Sequence, residues 1–131
     1  MTDHIRQIDA AIIAHDQWKA RLLAAVDAGS SEFQPDQVRA DGRCAFGRWL
    51  YQAEPDLKGS LHYERVRDLH ARFHRAAADV LTLALSGKGP QALTSLEFGR
   101  EYVSASVLLV DEMELWRAEL QRGDSGGSDQ P

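Results

Sequence analysis

The run Cys44-Ala45-Phe46-Gly47-Arg48-Trp49-Leu50 holds the only cysteine of the chain. Two histidines, His70 and His74, follow it one helical turn apart, and His15 precedes it, three residues before Trp18. One thiolate and three imidazoles complete a tetrahedral donor set for zinc. Sulfur with imidazole nitrogen favours Zn²⁺ over Mg²⁺ or Ca²⁺, which take oxygen donors. A Cys₁His₃ site is closed, with no position kept for a catalytic water. It reads as structural or regulatory rather than hydrolytic.

Each of these residues has a plainer reading when taken alone. His15 lies on an apolar stripe, where a histidine is usually satisfied by a backbone carbonyl. An i, i+4 pair fixes a shared helix face and not ligation. A free cysteine commonly behaves as a small buried apolar residue. The case for a metal is conjunction, because all four are expected to face one interior. Two neighbouring buried imidazoles would repel if protonated, whereas a metal holds both neutral. His4, near the terminus, and His62, at a helix start beside a break, are left out of the set. The pair has the spacing of the zinc-protease helix, but that motif needs Glu directly after its first His. Ala71 stands there, so the peptidase reading fails.

Three long helices and a short one must position these donors. Residues 3–28 carry Ile5, Ile8, Ile12, His15, Leu22 and Val26 at helical spacing, with Thr2 or Asp3 as a cap and Gly29 as a stop. Residues 30–42 read as a loop with a short helical piece after Pro35. Cys44–Tyr51 reads as a short helix or tight turn on the core, in which Gly47 permits close backbone approach and Trp49 is an anchor. Pro55 to Gly59 breaks the chain. Ser60 to Leu85 reads as a long helix, ended by Ser86-Gly87-Lys88-Gly89-Pro90. Gln91 to Gln121 reads as the last helix, with Gly99 as its weak point, at a cost of about 1 kcal/mol relative to Ala. The expected fold is all-α, a four-helix-type bundle with a short helical Cys-bearing segment. The expected division is a helical domain over 1–122 and a flexible tail over 123–131.

The chain has 131 residues, suited to one domain with a single core. Its net charge is −5 and its basic residues are scattered, so it lacks the clustered footprint of a nucleic-acid binder. No stretch approaches the roughly 20 apolar residues of a membrane span. Met1 to Arg6 lack the pattern of a secretory signal, and a lone cysteine fits a reducing compartment. A cytoplasmic location follows as the expectation. Val107, Leu108, Leu109 and Val110 make the last helix apolar on more than one side. That points to a two-fold homodimer, or else to a last helix buried on all sides in a monomer.

At the donor residues the chain resembles the chemoreceptor zinc-binding (CZB) domain family. The matching motifs are His15-Asp16-Gln17-Trp18-Lys19, Cys44-Ala45-Phe46-Gly47-Arg48-Trp49-Leu50 and His70-Ala71-Arg72-Phe73-His74, in the family's order. The resemblance runs from about Asp3 to Leu120. It implies a bacterial, cytoplasmic, α-helical zinc sensor that tends to form homodimers and serves chemotaxis or cyclic-di-GMP signalling. It further implies a zinc-bound cysteine that in some members reacts with hypochlorous acid. No receptor coiled coil or cyclase domain accompanies the module. The module then either works through a separate signalling partner or is a fragment of a larger receptor or cyclase; an initial Met and a polar tail favour a complete small protein. An enzyme is not expected. A small metalloenzyme would need a general base, and Asp111, Glu112 and Glu114 read better as a charged solvent face. A hemerythrin-like di-iron protein would need more imidazoles and bridging carboxylates.

Overall fold

A computed structural model of the chain describes residues 2–129, with side chains described over 4–122. Eight helical segments follow one another, with no strand among the described residues. They are α1 (Thr2–Asp16), α2 (Trp18–Ala28), α3 (Pro35–Arg39), α4 (Ala45–Gln52), α5 (Glu54–Leu57), α6 (Leu61–Leu85), α7 (Gly89–Ser95) and α8 (Glu101–Asp129). The fold is the all-α bundle expected. The tail expected from Gly123 falls where side chains lie outside the described residues.

Helix α6 is the central rod and packs against α8, α3, α2, α7 and α4. Its start is capped by Ser60, whose hydroxyl accepts the Tyr63 N–H. The side chains of Tyr63, Val66, Phe73 and Leu81 are fully buried along it. Ile8 of α1, Leu22 of α2, and Leu109, Met113 and Trp116 of α8 close on them. Burial of each such large apolar side chain is worth about 1.5–3 kcal/mol, so this shared interior holds the rods together. Trp49 is partly buried and lies between Phe46 and Trp116, which anchors α4 on the core as expected. The Tyr63 hydroxyl donates to the Leu50 carbonyl at 2.7 Å and fastens α4 to α6.

Two long helices of the sequence reading are each divided. The first breaks at Gln17, two residues after His15. The His15 ring donates to the Ala11 carbonyl at 2.7 Å, the acceptor that the His15 amide uses in the helix ladder. A side chain entering the ladder is a recognised cause of such a bend. The expected helix over 91–121 is corrected to α7 and α8, separated at residues 96–100. Gly99 takes φ 91° there, a conformation open to glycine and not to a helix interior. The reversal lets α7 pack on α6 and α2, while α8 returns along α6 and α1.

Candidate metal centre

Three elements deliver the four candidate donors, two of them from one helix. His15 sits in the last turn of α1. Cys44 is the N-cap of α4, and its sulfur accepts the Gly47 N–H at 3.3 Å. His70 and His74 lie one turn apart in the buried middle of α6. The backbone sets the rings. His15 Nδ1 donates to the Ala11 carbonyl, and His74 Nδ1 donates to the Val38 carbonyl of α3, each at 2.7 Å. A carbonyl only accepts, so both rings carry their proton on Nδ1 and offer a bare Nε2 lone pair.

The one sulfur and three nitrogens lie within 4.8 Å of one another. Cys44 Sγ is 3.3 Å from His70 Nε2 and 3.6 Å from His74 Nε2. The two Nε2 atoms are 3.1 Å apart. Edges of about 3.3–3.7 Å follow from tetrahedral zinc at ordinary bond lengths, so the spacing fits. The electrostatics fit as well. His15 Nε2 is buried with no hydrogen-bond partner. An unpaired buried acceptor is costly, and lone pairs facing one another are worse. A cation among them resolves both.

Burial also keeps the imidazoles neutral, the form a metal takes. Desolvation pushes His15 down to about 4 and His70 down to about 2, and it lowers His74. Desolvation raises the Cys44 thiol, against the Gly47 and Phe46 amides, which lower it. Without a cation this sulfur is therefore a thiol, and a metal is what makes it a thiolate.

The model of the chemoreceptor zinc-binding domain family matches residues 15–81, just over half of the chain. This chain belongs to that family. The matched span begins at His15 and takes in all four donors. No curated protein and no solved structure matches the chain. The CZB domain is a zinc-binding sensory module, and the cluster here is suited to zinc. No carboxylate belongs to the cluster, which removes the bridging groups a hemerythrin-like di-iron centre requires.

Sequence reasoning missed the support behind the CZB donors. His70 Nδ1 is buried without a hydrogen-bond partner, and Asp41 Oδ2 stands 4.0 Å from it. The Tyr51 hydroxyl donates to that carboxylate oxygen at 2.6 Å. The bond to Asp41 pushes Tyr51 up to about 12, so it stays a donor. At 4.0 Å this carboxylate is beyond hydrogen-bond reach of the ring nitrogen and acts on it as a nearby negative charge. Asp41→Asn removes that charge with the helices intact and is expected to weaken zinc binding by about tenfold or less, as measured by competition with a chelator. The signal available in the sequence was only the placement of Asp41 three residues before Cys44.

The two histidines left out of the set stand apart from it. His62 lies between Glu112 at 2.6 Å and Glu119 at 2.8 Å and links α6 to α8. Glu112 is thus half-buried and paired, which corrects its expected place on a solvent face. His4 packs against Trp49 with ring centroids 5.3 Å apart.

Proposed function

We propose that His15, Cys44, His70 and His74 hold one zinc, and that the chain is a cytoplasmic sensor switched by oxidation of Cys44. The observation that carries this reading is the origin of the donors. Three come from long helices that form the core, and the fourth caps a short helix on its flank. When bound, zinc supplies a thiolate at neutral pH, the nucleophilic form of the sulfur. Hypochlorous acid then transfers its oxygen to sulfur, and two electrons leave with chlorine as chloride. Thiolate and hypochlorous acid give sulfenic acid and chloride, with no further reactant. The oxidised sulfur is a weaker soft ligand, and the α4 segment loses its tie to His70 and His74.

Selectivity is supported by what else could react. No second cysteine competes or resolves the product into a disulfide, and Met113 is fully buried. The donor set contains no general base, which supports a switch rather than an enzyme. No helix is long and apolar enough to cross a membrane among the described residues. Exposed Val107, Leu108 and Leu115 on α8, with Ile13 on the adjoining α1, support a homodimer. Sedimentation at micromolar concentration is expected to give twice the chain mass, and a clean monomer removes the dimer. A separate chemotaxis or cyclic-di-GMP protein is the proposed reader.

Hydrogen exchange tests the switch. One equivalent of hypochlorous acid is expected to speed exchange over roughly residues 40–55 while α6 and α8 stay protected. Cys44→Ser is expected to bind zinc more weakly and to lose the response. If the wild type keeps its zinc and its exchange pattern under oxidant, the redox switch is wrong and zinc availability becomes the signal.

A further inference from the structure

A cavity of about 360 Å³ lies between α1, α2, α3 and the Cys44 segment, and its floor is formed by His15, Cys44 and His74. That size falls within the range of small-molecule sites, about 300–1,000 Å³. Trp18, Phe33 and Phe46 give it aromatic walls, and Ala10, Ala14 and Ala45 leave the space open.

Charge selects the guest. The chain has 20 acidic and 15 basic residues, yet no acidic side chain lines this cavity, while Arg21 and Arg43 do. Neither arginine forms an ion pair among the described residues. The Arg21 guanidinium lies over Trp18 at 5.2 Å and Phe33 at 5.5 Å, at the edge of the aromatic wall. A zinc ion held by one thiolate and three neutral imidazoles adds a further net positive charge at the floor. An acidic protein has here concentrated unpaired positive charge around an apolar hollow.

We propose that this cavity binds a small organic carboxylate with an apolar body, and that an occupant shields the metal centre from solvent. The carboxylate pairs with Arg21 and Arg43, and the apolar body lies against Trp18, Phe33 and Phe46. Three of the four donors line the cavity, so its occupant covers the route from solvent to Cys44. The shielding part rests on the zinc site proposed above, whereas the binding part stands on the cavity alone.

The test uses the full chain loaded with zinc, with octanoate and octanol as probes, followed by calorimetry and tryptophan fluorescence. Octanoate is expected to bind saturably and at least about tenfold more tightly than octanol. Replacing both arginines, Arg21→Gln with Arg43→Gln, is expected to erase that preference. Ala14 is exposed, so Ala14→Leu fills the hollow without entering the core. It is expected to abolish binding of both probes while zinc content is unchanged. Octanoate is further expected to slow zinc transfer to a chelator several-fold in the wild type and not in Ala14→Leu. Equal binding of the two probes, or undiminished binding by Ala14→Leu, overturns the site. Binding with no effect on zinc transfer overturns the shielding. A chain that binds octanoate but holds no zinc refutes the zinc site and leaves the cavity assignment standing.

Discussion

Adding one methyl group at Gly47 is expected to lower zinc affinity about a hundredfold. Gly47 is buried in the first turn of α4, where a Cβ would overlap the Asp41 carbonyl oxygen and crowd Gly42 Cα at 3.1 Å. Both obstacles are backbone and do not rotate away. The Ala variant must push the Asp41 turn off α4, which separates Cys44 from His70 and withdraws Asp41 from His70 together. Overpacking of this kind costs on the order of 3 kcal/mol, which at 1.4 kcal/mol per decade is about two decades of binding. Gly42→Ala is the control. A Cβ there meets only the Tyr51 ring at 3.5 Å, an ordinary contact. It is expected to change stability by less than about 0.5 kcal/mol. Equal zinc affinity in the two variants would mean that the close approach at Gly47 does not position the donors.

Removing zinc is expected to cost several kcal/mol of stability and to make what remains sensitive to acid. A ligand present at a thousand times its dissociation constant contributes about 4 kcal/mol. The zinc-free form then exposes the buried imidazoles to titration. His15 and His70 are held at about 4 and about 2 by burial, against 6.5 in an open chain. Folded-state values below the unfolded value mean that the unfolded chain takes up protons first. Stability is therefore complete above pH 6.5 and falls as pH falls, until about pH 4 for His15 and about pH 2 for His70. Between pH 6.5 and 5 the two together remove on the order of 3 kcal/mol. Denaturant unfolding of the chelated protein at several pH values measures this. A flat profile over that window would place the imidazoles in contact with solvent.

Periodicity and stop signals made much of this fold legible. The α6 stripe and the Ser86-Gly87 stop are local features that the sequence displays directly. The breaks at Gln17 and Gly99 are less legible because something beyond periodicity decides each. At Gln17 it is the His15 ring taking a ladder carbonyl. At Gly99 it is the return of α8 along α6, which uses a residue whose cost alone did not mark a helix end. The four candidate donors, which the fold brings together, stand out in the sequence because their chemical types are scarce in this chain and His70 and His74 are one helical turn apart. Asp41 and Tyr51 were not, since their bond spans ten residues and leaves no period. Glu112 was misread for a related reason. An acidic residue on a late helix is usually solvated, and only its pairing with His62, fifty positions earlier, buries it. The cavity beside the site has no sequence signature, because it is the space left where four segments meet.

X-ray absorption at the zinc edge of the purified chain tests the proposed donor set most directly. The expected result is about one zinc per chain, with one sulfur at about 2.3 Å and three nitrogens at about 2.0–2.1 Å. A zinc shell without sulfur, or a chain that retains no zinc, would contradict the assignment of His15, Cys44, His70 and His74 as the metal centre.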